Sequence, residues 1–270
     1  ASDNFLARNI IFKKARQKVL EQTKGFYPAP LKILDHLESS MGKRRDTYLA
    51  SEAQSFGELS QTSQSKSLQH IFFLQDNAKK LENKDEISSV KRGAVLGGGT
   101  MGGGIAWLMA KNGQSPILKD INKTGLELGL KQSSEIFYKA VKRRRMSSIE
   151  FERAQRSISP TLSFDGFARA DLVVEAVVEN MDIKKKVFAE AEGHVSSDCL
   201  LATNTSSLSI NEMASALKDS SRFAGLHFFN PVNKMPLVEI IRHDNVSEER
   251  INRLYKWVLD TKKTPVVVND

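Results

Sequence analysis

Ten residues, Gly97-Gly98-Gly99-Thr100-Met101-Gly102-Gly103-Gly104-Ile105-Ala106, constrain what this chain can fold into more than any other stretch. An apolar run, Gly93 to Leu96, leads into them, and a helical pattern from Met101 to Asn112 leads out. In a strand-turn-helix unit the spacing Gly97-x-Gly99-x-x-Gly102 gives each glycine a task. The first allows a tight exit from the strand, the second lets backbone amides approach a pyrophosphate, and the third lets the helix pack closely. A glycine hexapeptide alone is a weak signal, but here Asp120 closes a second strand, Pro116 to Lys119, eighteen residues after Gly102. A carboxylate at that place accepts the ribose 2′- and 3′-hydroxyls and repels a 2′-phosphate, so NAD rather than NADP is the expected cofactor. The alternatives are a structural glycine turn or a related fold for another nucleotide. No Gly-Lys-Ser/Thr is present, which argues against a P-loop phosphotransferase.

Further short apolar runs, Leu172 to Ala176, Leu200 to Thr203 and Phe223 to Phe229, alternate with helical patterns. That order predicts an α/β fold, a Rossmann-like doubly wound and mostly parallel sheet. Ser147-Ser148-Ile149-Glu150 offers a capping box for a helix in the crossover before Leu172. The part before the sheet reads differently. From Asp3 to about Leu81 the signals are helical: Phe5, Leu6, Ile10, Phe12, Val19 and Leu20 fall near helical spacing, with Gly25 as a C-cap. Tyr27-Pro28-Ala29-Pro30 is expected to form an extended turn before a helix from Leu31 to Met41, and a third helical pattern begins near Ser67. The expected organisation is a helical segment over 1–81, a polar linker over 82–92 (ENKDEISSVKR), and the Rossmann domain over 93–270.

The chain has 270 residues, 40% of them hydrophobic and 27% charged, enough for one large or two medium domains with a sizeable core. It has neither a membrane-length apolar run nor the regions of a signal peptide in ASDNFLARNI, so a soluble cytoplasmic protein without an integral membrane segment is expected. Cys199, the single cysteine, lies in an apolar stretch and reads as a small core hydrophobe. The formal charge of +8 points to an anionic partner: nucleic acid, a membrane surface or a phosphorylated small molecule. Lys142-Arg143-Arg144-Arg145 is the densest basic run. No aromatic residues interleave with it and no nucleic-acid motif is present, so nucleic acid is disfavoured, with a solvated helix end as the plain alternative.

Ligands of open α/β sheets bind beyond the carboxyl ends of the strands. The run DLVVEAVVEN, residues 171–180, reads as a strand ending at Glu179, with Lys184 one helical turn further on. The next strand ends in Asn204-Thr205-Ser206-Ser207, and the one after it at His227, with Asn230 three residues on. A histidine within GLHFFNP is by itself most simply a core histidine. Glu239, inside the apolar run 237–241, must be paired if it is buried, and otherwise is an exposed strand residue. A His227–Glu239 pair makes a general base held in one tautomer. Beside a nicotinamide cofactor such a base suits oxidation of an alcohol. No metal-ligand set is expected.

GGGTMGGGIA, Asp120, DLVVEAVVEN, NTSSLSI and HFFNPVNKMPLVEII, in that order, resemble the NAD-binding domain of L-3-hydroxyacyl-CoA dehydrogenases. TKGFYPAPLKIL and FGELSQTSQSKSLQHIFF are similar to the region joining the enoyl-CoA hydratase and dehydrogenase modules in the α subunit of bacterial fatty-acid oxidation complexes. The resemblance covers essentially the whole chain. It implies that Met101, Asp120, Glu179, Lys184 and Asn230 contact NAD alongside Gly97, Gly99 and Gly102, and that Val177 and Val178 line the same site. It further implies that Ser206 stands by the cofactor and the substrate hydroxyl, that His227 is the catalytic base and that Glu239 orients it. Arg143 corresponds to a basic residue that approaches the phosphates of coenzyme A in that family.

Two departures qualify the resemblance. Family members continue beyond the equivalent of Asp270 into a helical domain, and they carry a hydratase fold before the equivalent of these N-terminal helices. The expectation is therefore a fragment of a multifunctional β-oxidation enzyme acting on acyl-CoA, whose parent also has hydratase and isomerase activity and joins a thiolase β subunit. Alone, the fragment is expected to bind NAD with little turnover. The alternative is a non-catalytic nucleotide-binding or scaffold segment.

Overall fold

A computed structural model describes residues 5–270. The chain divides into two compact units, one ending at Asn77 and the other running from Ala78 to Asp270.

The first unit is helical: α1 (Phe5–Thr23), α2 (Pro28–Ser40), α3 (Arg45–Ser60) and α4 (Ser63–Asn77). Asp3, where the helical pattern was expected to begin, lies outside the described residues. Gly25 follows α1 with φ +80°, in keeping with a C-cap. The Pro28–Pro30 stretch is not an extended turn. Tyr27 is the extended N-cap and Pro28 opens α2, because a helix's first turn does not need the amide that proline lacks. The third expected helix starts earlier, at Ser63, and α3 was not expected at all. Only Tyr48, Leu49, Phe56 and Leu59 in α3 are large and apolar, too sparse a set to mark a helical period.

The second unit is built on one eight-stranded sheet of order β3-β2-β1-β4-β5-β6-β7-β8. Its elements in chain order are β1 (Gly93–Leu96), α5 (Thr100–Lys111), β2 (Ile117–Lys119), α6 (Lys123–Lys142), α7 (Ser148–Arg156), β3 (Ser159–Thr161) and β4 (Leu172–Glu175). There follow α8 (Met181–Glu192), β5 (Leu200–Thr203), α9 (Ile210–Ala214), β6 (Phe223–Phe228), β7 (Leu237–Arg242), α10 (Glu248–Asp260) and β8 (Thr264–Asn269). All neighbouring strands are parallel except β6 and β7. Ser147 and Glu150 form the expected capping box of α7.

Because side chains alternate across a strand, β1, β4 and β5 feed two cores. Val95, Val174, Leu200 and Ala202 pack with α5, α6 and α10 through Ile105, Phe137 and Trp257. Ala94, Leu96, Val173 and Leu201 pack on the other face with Phe188 of α8 and Ile210 of α9. The chain leaves β1 toward β2 on one side and returns to β4 on the other, so a crevice opens where β1 and β4 end.

β4 stops at Glu175, close to the apolar run Leu172 to Ala176 and short of the Glu179 end expected from the longer run 171–180. The Glu175 carboxylate accepts the Val177 amide at 2.7 Å, which takes that amide out of the ladder, and residues 176–180 form a loop ending in Asn180, the N-cap of α8.

Candidate active site

The glycine turn sits in that crevice. Gly97 has φ +102°, a conformation open to glycine. A Cβ on Gly102 would lie 1.8 Å from the Gly97 carbonyl oxygen, so the first turn of α5 packs directly on the strand exit. At Gly99, the N-cap of α5, an added Cβ would meet nothing within 4 Å. Open space thus faces the amides that a helix N-terminus leaves without intrahelical acceptors. Met101 lies half-buried in the same turn.

Asp120 follows β2 and reaches back to the turn. Its Oδ2 accepts the Gly98 amide at 2.7 Å and its Oδ1 the Asn122 amide at 3.1 Å. Gly125 makes room for this carboxylate, since a Cβ there would stand 2.3 Å from the Asp120 Cγ. Nothing in the glycine spacing singled out Gly125. The open cradle at Gly99, the helix N-terminus and the half-buried carboxylate fit the diphosphate and ribose of a dinucleotide.

A second group gathers at the ends of β4 and β5. Lys184, 1% exposed on α8, places its ammonium 2.7 Å from Glu175 and 3.2 Å from Glu179. Glu175 is fully buried, and its second oxygen accepts the Thr203 hydroxyl at 2.7 Å. Glu179 accepts the Thr205 hydroxyl and, at 3.1 Å, the Ser206 amide. Burial alone would raise the Glu179 carboxyl, but those two hydrogen bonds and the charge on Lys184 outweigh it and hold the group below its ordinary range. Val177 is half-buried and Val178 exposed on the loop between these carboxylates, and Ser206 is exposed on the loop after β5. Glu175 escaped sequence reasoning because DLVVEAVVE reads as one uninterrupted strand.

The third group comes from β6 and β7. Antiparallel pairing sets His227 opposite Glu239, and Nδ1 of the imidazole lies 2.7 Å from Oε2 of the carboxylate. A carboxylate only accepts, so Nδ1 is the donor of this pair, and in the neutral imidazole that tautomer puts the lone pair on Nε2. Asn204 Oδ1 accepts the Phe228 amide at 2.9 Å, which ties the loop after β5 to the end of β6. Asn230 is exposed just beyond. Lys263 donates from Nζ to the carbonyls of Val232 and Met235, bracing the loop between the two strands. Cys199 is fully buried and its thiol is pushed up to about 12, mainly by burial, which makes it the inert core residue expected.

Arg143 is not gathered with these residues. It is the exposed C-cap of α6, whose twenty helical residues put it about 30 Å along the axis from the end nearest Asp120.

Residues 92–270 match the family model described as 3-hydroxyacyl-CoA dehydrogenase, NAD binding domain. The chain is similar to the fatty acid oxidation complex subunit alpha of Pseudomonas putida (strain GB-1), with 41% identity over 269 residues covering 99% of this chain and 38% of that protein. It therefore spans under two fifths of the length of this curated relative. Among solved structures, the (S)-3-hydroxybutyryl-CoA dehydrogenase of Ralstonia eutropha superposes with a TM-score of 0.66 at 31% identity, over 67% of this chain and 64% of that one. The 3-hydroxybutyryl-CoA dehydrogenase of Escherichia coli K12 gives 0.65 at 35% identity, over 67% and 39%. The matched stretch begins just before β1 and takes in the whole sheet and its glycine turn, and the chain belongs to the 3-hydroxyacyl-CoA dehydrogenase family, with residues 92–270 as its NAD-binding domain.

Proposed function

We propose that this chain is the dehydrogenase part of a longer fatty-acid oxidation protein and oxidises (3S)-hydroxyacyl-CoA to 3-oxoacyl-CoA. The observation that carries this reading is the 2.7 Å His227–Glu239 pair, whose histidine lies near the carboxyl end of β6, on the edge of the sheet where the glycine turn follows β1. NAD, when bound, supplies the hydride acceptor. His227 takes the proton of the C3 hydroxyl on Nε2 as the carbonyl forms, and Glu239 steadies the imidazolium that results. Ser206 hydrogen-bonds the substrate oxygen from the loop after β5, and Asn230 faces the nicotinamide side. Arg143, with Lys142 and Arg144 beside it, is assigned to the phosphates of coenzyme A. Hydratase and isomerase chemistry belongs to other parts of the longer protein, which joins a thiolase β subunit in the cytoplasm. Among the described residues no helix is long and apolar enough to cross a membrane.

The test is His227→Gln in the full-length protein. Turnover should fall by about 10²–10⁴, the usual contribution of a general base, with NAD affinity nearly unchanged. Turnover like that of the wild type sinks the assignment.

A further inference from the structure

The buried carboxylate of Glu175 does more than neutralise Lys184. It stands at the last residue of β4, in register with Thr203 at the last residue of β5, where the chain turns into the two loops beside the cofactor cradle. It takes three donors: the Val177 amide and the Lys184 ammonium on Oε1, each at 2.7 Å, and the Thr203 hydroxyl on Oε2 at 2.7 Å. A fully buried carboxylate and a nearly fully buried ammonium are each tolerable only through the other.

The ammonium also faces an outer carboxylate. Glu179, whose side chain is 42% exposed, lies 3.2 Å from it and holds the Ser206 amide and the Thr205 hydroxyl. One inner anchor therefore reaches both loops, residues 176–180 directly and residues 204–208 by way of Lys184 and Glu179. The glycine turn leans on the same place, since a Cβ at Gly97 would stand 2.6 Å from the Ala176 carbonyl oxygen. An ion pair this deeply buried adds little net stability compared with apolar residues of the same shape. Its position at the strand ends suits a task in the site.

We infer that Glu175 is a positioning residue of the cofactor site, one that fixes the Lys184 ammonium and the Glu179 carboxylate and so sets the two loops that receive NAD. The inference rests on the reading of these loops as the NAD site. Glu175 itself touches neither cofactor nor substrate; its charge acts through Lys184, and that dependence is what a double-mutant cycle measures, since glutamine in its place can still accept the Val177 amide.

The experiment is calorimetric titration of NAD into the wild-type chain, Glu175→Gln, Lys184→Met, the double variant and Thr203→Val, with thermal melting of each. Loss of a hydrogen bond to a charged group corresponds to roughly a tenfold weakening, so Glu175→Gln and Lys184→Met should each bind NAD about tenfold more weakly. The double variant should be no weaker than Lys184→Met alone. Additive losses in the double variant, or NAD affinity in Glu175→Gln within about twofold of the wild type even with a lowered melting temperature, overturn the inference. Thr203→Val keeps both charges and frees Oε2. If Glu175→Gln fails to fold, an unchanged affinity in Thr203→Val overturns the inference and a several-fold loss upholds it. Absence of NAD binding by the wild type would strike the cofactor reading first and take this inference with it, whereas binding by the wild type with unaffected variants strikes the inference alone.

Discussion

Replacing Gly102 by alanine would put a methyl carbon 1.8 Å from the carbonyl oxygen of Gly97, where even a crowded Cβ needs 3.0 Å. The strand exit and the first turn of α5 must therefore part by about 1.2 Å, and both are backbone, with no side chain to swing aside. Overpacking of this kind costs about 1–3 kcal/mol. In a unit of this size each kcal/mol moves the melting temperature by about 2–4 °C, so Gly102→Ala should melt roughly 2–12 °C below the wild type. It should also bind NAD at least tenfold more weakly, because the helix terminus that receives the diphosphate has moved. Gly99→Ala is the control. Its Cβ meets no protein atom within 4 Å, so the loss in stability should stay within about 1 kcal/mol, the penalty of a poorer N-cap. If the diphosphate enters that open space as proposed, NAD affinity should fall about tenfold or more without a matching loss of stability. Scanning calorimetry and NAD titration of both variants separate the two effects. Wild-type NAD affinity in Gly99→Ala would show that the diphosphate lies elsewhere, and wild-type melting of Gly102→Ala would show that α5 is not anchored on the turn as described.

Asp120→Ala should weaken NAD and narrow the preference for NAD over NADP. Since Asp120 also holds the Gly98 amide, the ratio of the two affinities is the reading that counts, and an unchanged ratio places the ribose elsewhere. Lys263 is pushed down to about 8, mainly by burial and also by the charge of Lys111, so between pH 8 and its ordinary value of 10.5 the unfolded chain holds the proton more tightly than the folded one. Stability should therefore rise with pH through that window, and the rise should vanish in Lys263→Met when melting is followed against pH. Arg143→Ala, measured in the full-length protein at low salt, should raise KM for acyl-CoA a few-fold while leaving KM for NAD alone; an unchanged acyl-CoA KM removes Arg143 from the site.

The strands that build the crevice were readable because each is buried on both faces and so appears as a short apolar run closed by a turn or a polar residue. β3, whose sequence is Ser-Pro-Thr, sits at the edge of the sheet and has no such run, so only its register with β2 reveals it. Helix α3 was hidden for a related reason, its large apolar residues being too few to mark a period. The end of β4 was misplaced because Val177 and Val178 continue the β-branched pattern of Val173 and Val174. What halts the strand is the hydrogen bond from the Val177 amide to the Glu175 side chain, and that carboxylate can be buried only because Lys184, nine residues on, neutralises it. His227 and Glu239 were legible as a pair because a carboxylate inside an apolar run needs a partner when buried, and the imidazole ending the preceding run could serve. The basic run from Lys142 to Arg145 was legible as a helix end, and α6 does end there, but its distance from the crevice was not, since local sequence does not say in which direction a helix carries its end.

The reversal of direction between β6 and β7 has a consequence for how the molecule assembles. Every other pair of adjoining strands in the sheet is parallel and must wait for a crossover, whereas His227 and Glu239 are only twelve positions apart and are joined by a single local connection. Closing so short a loop costs little chain entropy, so the half of the site proposed to handle the proton is written into one hairpin. The dinucleotide half depends on segments as distant as Gly98 and Asp120, or Glu179 and Ser206. Damage to the glycine turn should therefore leave the imidazole and its carboxylate together, and the two halves of the chemistry can be lost one at a time.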